Sequence, residues 1–361
     1  MPARLACILR KWLGRVYRVS AGTGACFRLI DSFTGNAMKI TAAKLVLSSV
    51  AVICLVFLAA CSDSQQAGES IGEEQQRPVV ALIMKSLANE FFVTMADGAR
   101  AHQTSHDDEY QLIVNGIKNE IDLSQQVALI DQMIASGVDA IVIAPADSKA
   151  IVPALARASA AGIVIVNIDN RLDGEILKEY GLKAPFVGPD NFRGAEVVGQ
   201  YLAAQLDEGQ EVAILEGVPT AYNSQRRTAG FNKAMDDSGL IVVSQQSAQW
   251  DQTSAVVITS AILVQYPDLA AILCANDNMA LGAVAAVMQA GKSDEIQIIG
   301  FDNISAIQNL IREKSVLATV DQHADLLAVY GIEYALAAMS SDVELADKAT
   351  PVDLVTIDDL D

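Results

Sequence analysis

From residue 78 onward, apolar runs of strand length alternate with segments whose apolar residues recur at helical intervals. Residues 78–84 form one continuous apolar run of buried-strand type, and 91–105 carry the spacing of an amphipathic helix. Strands follow at 110–114, 139–144 and 163–168, with helices at 122–136 and 147–160 between them. After Phe186-Val187-Gly188-Pro189-Asp190 the alternation restarts, with helices at 191–206, 224–237, 253–265 and 278–290 and strands at 211–215, 240–243, 269–274 and 296–301. An apolar stretch at 316–320, a long helix at 325–339 and a strand-like run at 352–357 complete the chain. Alternation of this kind predicts parallel sheets with helices on both faces. The restart predicts two of them, an α/β fold of two doubly wound parallel-sheet domains. Crossings near 187–190, 321–323 and 350–351 would join them as a three-strand hinge, giving lobes of 77–187 with 323–350 and 188–322 with 351–361.

The first 76 residues follow a different pattern. Lys39 and Lys44 precede an uncharged run at 45–60, which ends in Leu58-Ala59-Ala60-Cys61. Basic residues, an apolar run and small residues before a cleavage point are the order of a secretory signal. The run's 16 residues are short of the roughly 20 needed to span a bilayer. Leu-Ala-Ala-Cys resembles the lipobox of bacterial lipoproteins, which implies that Cys61 is lipidated and tethers the chain to a membrane. The basic stretch before Met38 precedes a complete signal, so Met38 is the expected start. Residues 62–76, rich in Ser, Gln, Glu and Gly, read as a flexible tether.

Charge and cysteine usage narrow the function. Eight of the 25 Lys and Arg lie before Cys61 against the single Asp31, leaving 17 basic and 43 acidic residues from Cys61 on. So acidic a body repels nucleic acid. Beyond Cys61 only Cys274 remains, which cannot form an intrachain disulfide and reads as a small buried strand residue. With three His in the chain, a zinc site is not expected, and neither is any other metal or cofactor. No strand is followed by Gly-x-Gly-x-x-Gly, and neither a phosphate-binding Gly-x-x-x-x-Gly-Lys-Ser/Thr nor a Gly-x-Ser-x-Gly elbow is present. Catalytic residues are therefore not expected.

In open parallel sheets ligands bind at the carboxyl ends of the strands. The residues there are Lys85, Asn89, Phe91 and Phe92, then Asp169, Asn170 and Arg171, and in the second half Arg227, Trp250, Asp251, Asn276, Asp277, Phe301 and Asp302, with Gln322 at a crossing. Carboxylates, amides, long cations and aromatics suit an uncharged polyhydroxylated ligand. Each sugar hydroxyl both donates and accepts, and rings cover the C–H faces. Of Phe91 and Phe92, one is expected in the core and Phe92 in the cleft. Asp190-Asn191 reads as a helix cap, and Asp277 as either a cap or a site residue.

These residues carry a family resemblance. From about residue 78 to the end the chain resembles the periplasmic sugar-binding proteins of ABC transporters, in the ribose/allose/xylose-type group of the type I periplasmic binding protein family. The matching segments are Lys85-Ser86-Leu87-Ala88-Asn89-Glu90-Phe91-Phe92, Val166-Asn167-Ile168-Asp169, Val187-Gly188-Pro189-Asp190-Asn191, Arg227 before Gly230-Phe231, Trp250-Asp251, Cys274 to Gly282, Gly300-Phe301-Asp302 and Leu317 to Gln322. The resemblance implies that Asn89, Phe92, Asp169, Arg227, Trp250, Asn276, Asp302 and Gln322 contact a monosaccharide, with Lys85 and Asn170 beside them. Lys85 follows the allose-type rather than the ribose-type pattern. Asn170 stands where ribose binders carry Arg, and Glu90 stands where Pro precedes the two aromatics. The implied protein is an exported monomer that closes on a pentose or hexose and delivers it to an ABC permease. The alternative is a sensor of the same fold that signals to a chemoreceptor or sensor kinase. A sugar-responsive repressor is disfavoured by the leader and by the lack of a helix-turn-helix before Pro78.

Overall fold

The computed structural model describes residues 77–341 and 345–360. The leader, Cys61 and the tether lie outside the described residues. In chain order the strands are β1 (Val79–Ser86), β2 (Gln111–Ile117), β3 (Ala140–Ile143), β4 (Val164–Ile168), β5 (Phe186–Pro189), β6 (Glu211–Glu216), β7 (Ile241–Ser247), β8 (Ala271–Cys274), β9 (Gln297–Ile299), β10 (Thr319–Asp321), β11 (Lys348–Thr350) and β12 (Asp353–Val355). The helices are α1 (Glu90–Ser105), α2 (Leu123–Ser136), α3 (Val152–Ala160), α4 (Gly174–Glu179), α5 (Asn191–Ala203), α6 (Tyr222–Asp237), α7 (Gln252–Gln265), α8 (Asp277–Gln289), α9 (Ser305–Arg312) and α10 (Ala324–Ser340).

Two parallel sheets form, one in each lobe. The first has the order β11-β5-β4-β3-β1-β2 and the second β7-β6-β8-β9, with every pairing parallel. Their central strands are the continuous apolar runs of the sequence: Val80 to Met84 and Ala271 to Cys274 are fully buried. Covered on both faces, such strands need no alternation of polar and apolar residues. The chain enters the second sheet after β5, returns after β10 so that α10 packs on β3 and β4, and leaves again for β12, which pairs antiparallel with β10. α10 also packs on α1. A Cβ on Gly98 would lie 2.3 Å from the Asp325 carbonyl oxygen, so glycine permits that approach.

Capping explains where most site-bearing helices begin. Asn89, Asp122, Asp190, Asp251 and Asn276 each accept a backbone N–H in the first turn of α1, α2, α5, α7 and α8. At 147–151 the expected helix is a turn instead, because Asp147 accepts from the N–H groups of Lys149 and Ala150 and the helix starts only at Val152. The sequence pattern missed α4 and α9, of 6 and 8 residues, because so short a segment spans barely two helical turns.

Candidate functional site

The carboxyl ends of both sheets face one cavity between the lobes. The first lobe contributes Lys85 from the end of β1, Asn89 and the two phenylalanines from the start of α1, and Asp169 just after β4. The second contributes Arg227 from α6, Trp250 before α7, Asn276 at the cap of α8, and Asp302 after β9, with Gln322 from the crossing after β10. These polar and aromatic side chains are all buried.

Each lobe brings its own cation–carboxylate pair. Lys85 Nζ lies 2.9 Å from Asp169 Oδ2, both groups at most 3% exposed. That oxygen nevertheless has no donor aligned for a hydrogen bond. Across the cavity Arg227 Nη1 lies 3.4 Å from Asp302 Oδ1, and Gln322 Nε2 donates to the same oxygen at 2.6 Å. Burial pushes the Asp302 carboxyl well above its ordinary value, against the pull of Arg227. Burial likewise lowers the Arg227 guanidinium, which the carboxylates of Asp302 and Asp169 oppose.

Arg227 is held rigidly. Its Nε donates to Asn191 Oδ1 at 2.8 Å and its Nη1 to the Ala275 carbonyl at 2.8 Å. The guanidinium sits 3.7 Å above the Phe301 ring and 5.5 Å from that of Trp250. Lys85 Nζ lies 5.6 Å from the Phe92 ring and 6.0 Å from the Trp250 ring, so aromatic faces and cations alternate around the cavity. Trp250 fits only because residue 217 is glycine, where a Cβ would lie 2.0 Å from the indole. Three site residues have left-handed or neighbouring backbone geometry, with φ of 60° at Asp169, 65° at Trp250 and 133° at Asp302. Such conformations cost energy and persist where the surroundings impose them.

Nine of the ten expected ligand-facing residues line the cavity; Asn170 does not. It is fully buried, donates from Nδ2 to the Pro145 carbonyl at 2.9 Å and accepts at Oδ1 from the Asn223 N–H at 3.2 Å. Both phenylalanines line the cavity, where only Phe92 was expected, and their rings meet edge to face at 5.1 Å. Asn276, not Asp277, caps α8. Asp277 instead accepts from the Thr319 hydroxyl at 2.7 Å and the Ile304 N–H at 3.0 Å, bracing the loop that carries Asp302. Burial raises its carboxyl to about 7.

Sequence reasoning missed Glu120 and Asn223. Glu120 follows β2 at its carboxyl end, so the rule that found the other residues, extended to that strand, would have found it. Its Oε1 accepts from Asn89 Nδ2 at 3.3 Å, and burial raises its carboxyl to about 7 despite nearby Lys85. Among the described residues no cluster of His, Cys, Asp and Glu could hold a metal ion. Cys274 is buried on β8, and burial pushes its thiol far up.

A model of the periplasmic binding protein domain matches residues 80–342. The chain belongs to the periplasmic binding protein family. Like other members of that family it is an extracytoplasmic solute-binding protein and not an enzyme. It is 50% identical to the D-ribose/D-allose-binding protein of Pseudomonas aeruginosa over 84% of this chain and 97% of that one. It is 33% identical to the ribose import binding protein RbsB of Bacillus subtilis, over 81% and 92% of the two chains. Among solved structures, an ABC transporter solute-binding protein of Burkholderia multivorans, holding an unknown ligand represented as α-D-erythrofuranose, superposes with a TM-score of 0.76 at 52% identity. That match covers 78% of this chain and 99% of the other. A periplasmic solute-binding protein of Actinobacillus succinogenes with bound D-allose gives 0.74 at 35% identity, over 78% and 99%.

Proposed function

We propose that this periplasmic binding protein captures a monosaccharide of the D-ribose or D-allose kind between its lobes and delivers it to an ABC importer. The observation that carries this reading is the pair of buried ion pairs facing one another across the cavity, with aromatic rings between them. Two cations beside the carboxyl groups of Asp169, Asp302 and Glu120, the last raised to about 7 by burial, suit a ligand with no net charge, and an unaligned Asp169 oxygen suits a hydroxyl donor. The names of the relatives point to the same ligand class.

In this reading Lys85, Asn89, Asp169, Arg227, Asn276, Asp302 and Gln322 bond the hydroxyls, joined by Glu120 and Asn223, while Phe91, Phe92 and Trp250 cover the ring. Asn170 acts behind the site. The cavity is walled by buried residues of both lobes, so a sugar enters only when they part. The hinge is the set of crossings near 187–190, 321–323 and 350–351, with lobes of 77–187 plus 323–350 and 188–322 plus 351–361. Lipidation of Cys61 would keep the protein at the membrane beside its permease.

Trp250 is the sole tryptophan after Cys61 and tests this directly. Residues 62–361 are titrated with D-ribose, D-allose and other pentoses, hexoses and cyclitols while fluorescence and thermal stability are followed together. One sugar that moves both signals at micromolar concentration supports the reading and names the ligand. Silence in both signals across the panel overturns it.

A further inference from the structure

Two helices of the second lobe start without a cap of their own. α5, α7 and α8 use Asp190, Asp251 and Asn276, but the residues before α6 and α9 are Ala221 and Ile304, which make no side-chain cap. Their free N–H groups are satisfied from the other lobe. Ser148 Oγ accepts from the Tyr222 N–H at 2.9 Å, and Asn170 Oδ1 accepts from the Asn223 N–H at 3.2 Å. Ser148 Oγ also donates to Asn170 Oδ1 at 3.3 Å, so the two form one unit. At α9, Glu90 Oε1 accepts from the Ser305 N–H at 2.9 Å and also from the Ser305 hydroxyl.

We propose that Ser148, Asn170 and Glu90 are positioning residues that cap α6 and α9 from across the lobe interface, and so hold the closed form without touching the ligand. The inference rests on the closing motion proposed above. The first N–H groups of a helix have no partner within it, and in an open protein those of Tyr222, Asn223 and Ser305 would turn to water. The bonds therefore count in the closed state alone, and they weight the open–closed balance by that difference. Glu90 gains twice from its place. It opens the first turn of α1 and sits at the start of α9, so its carboxylate faces the positive ends of two helices. Asn170 and Glu90 are also two of the three positions, with Lys85, where the sequence departs from the ribose-type pattern. The departures thus have a structural use in this chain.

The test compares Glu90→Ala, Ser148→Ala and their double variant with the acceptor-keeping variants Glu90→Gln and Ser148→Thr. D-ribose and D-allose are the probes, with affinity and release rate measured alongside the melting temperature without sugar. Each alanine variant should bind about fivefold more weakly, chiefly through faster release, and the double variant about twentyfold. The acceptor-keeping variants should recover most of the loss, and sugar-free melting should be unchanged in all five. Alanine variants that bind as tightly as the parent overturn the latch while leaving the sugar-binding reading intact. An equal loss of stability with and without sugar also overturns it, because the bonds would then be ordinary structural contacts. A parent that binds no sugar of the panel overturns the sugar reading, and the latch falls with it.

Discussion

Lys85 Nζ and Asp169 Oδ2 face each other at 2.9 Å inside the first lobe, the one ending a strand and the other just past the end of its second neighbour in the sheet. Removing one member of such a pair leaves the other charge buried without a counter-ion. Asp169→Ala should therefore abolish tight sugar binding and destabilise the fold by about 3–5 kcal/mol. Combining Lys85→Met with Asp169→Asn, which keeps a residue tolerant of the positive φ here, should recover most of that stability and none of the tight binding. Urea denaturation and calorimetric titration read the two effects separately; a single variant as stable as the double one would contradict the pairing.

Gly217 offers a test without touching charge. Its missing Cβ is the space occupied by the Trp250 indole. Gly217→Ala should push the ring from its seat, cost about 1–3 kcal/mol of stability and weaken sugar binding at least tenfold. The shift of Trp250 emission on adding sugar should shrink with it.

Glu120 makes stability depend on pH. Burial raises its carboxyl from the ordinary 4.5 to about 7, so the folded chain holds this proton where the unfolded chain has lost it. Its contribution is thus greatest below about 4.5 and is lost as pH rises toward 7. Glu120→Gln should remove this decline, leaving a flatter profile between those values and a gain over the parent near pH 8 of up to roughly 3 kcal/mol. Asp277, also raised to about 7, keeps its own share of the slope in the variant. Chemical denaturation at several pH values measures both profiles.

Cys274 should be inert in the folded protein. It is fully buried on β8, and burial pushes its thiol far above the ordinary range. In residues 62–361 it is the only thiol, so a colourimetric thiol reagent should report no reaction in buffer and one equivalent in denaturant.

The sequence alone determined the class of fold and most of the cavity wall. Continuous apolar runs alternating with helical spacing can only be buried parallel strands under helices, and ligand chemistry in such a sheet gathers at the strand ends. Lys85, Asp169, Asn276 and Asp302 were therefore legible as neighbours in space although they are spread across the chain. Only the tertiary structure decided which side chain faces the cavity and which faces its own scaffold. Asn170 and Asp169 are adjacent, yet the positive φ of Asp169 sends one into the cavity and the other toward α6. Asn276 and Asp277 divide the same way, cap from brace, because β10 and the loop after β9 supply Asp277 with its donors. Those outcomes depend on partners 20 to more than 200 residues away, as with Glu90 and Ser305. Local periodicity carries no information about such distant contacts.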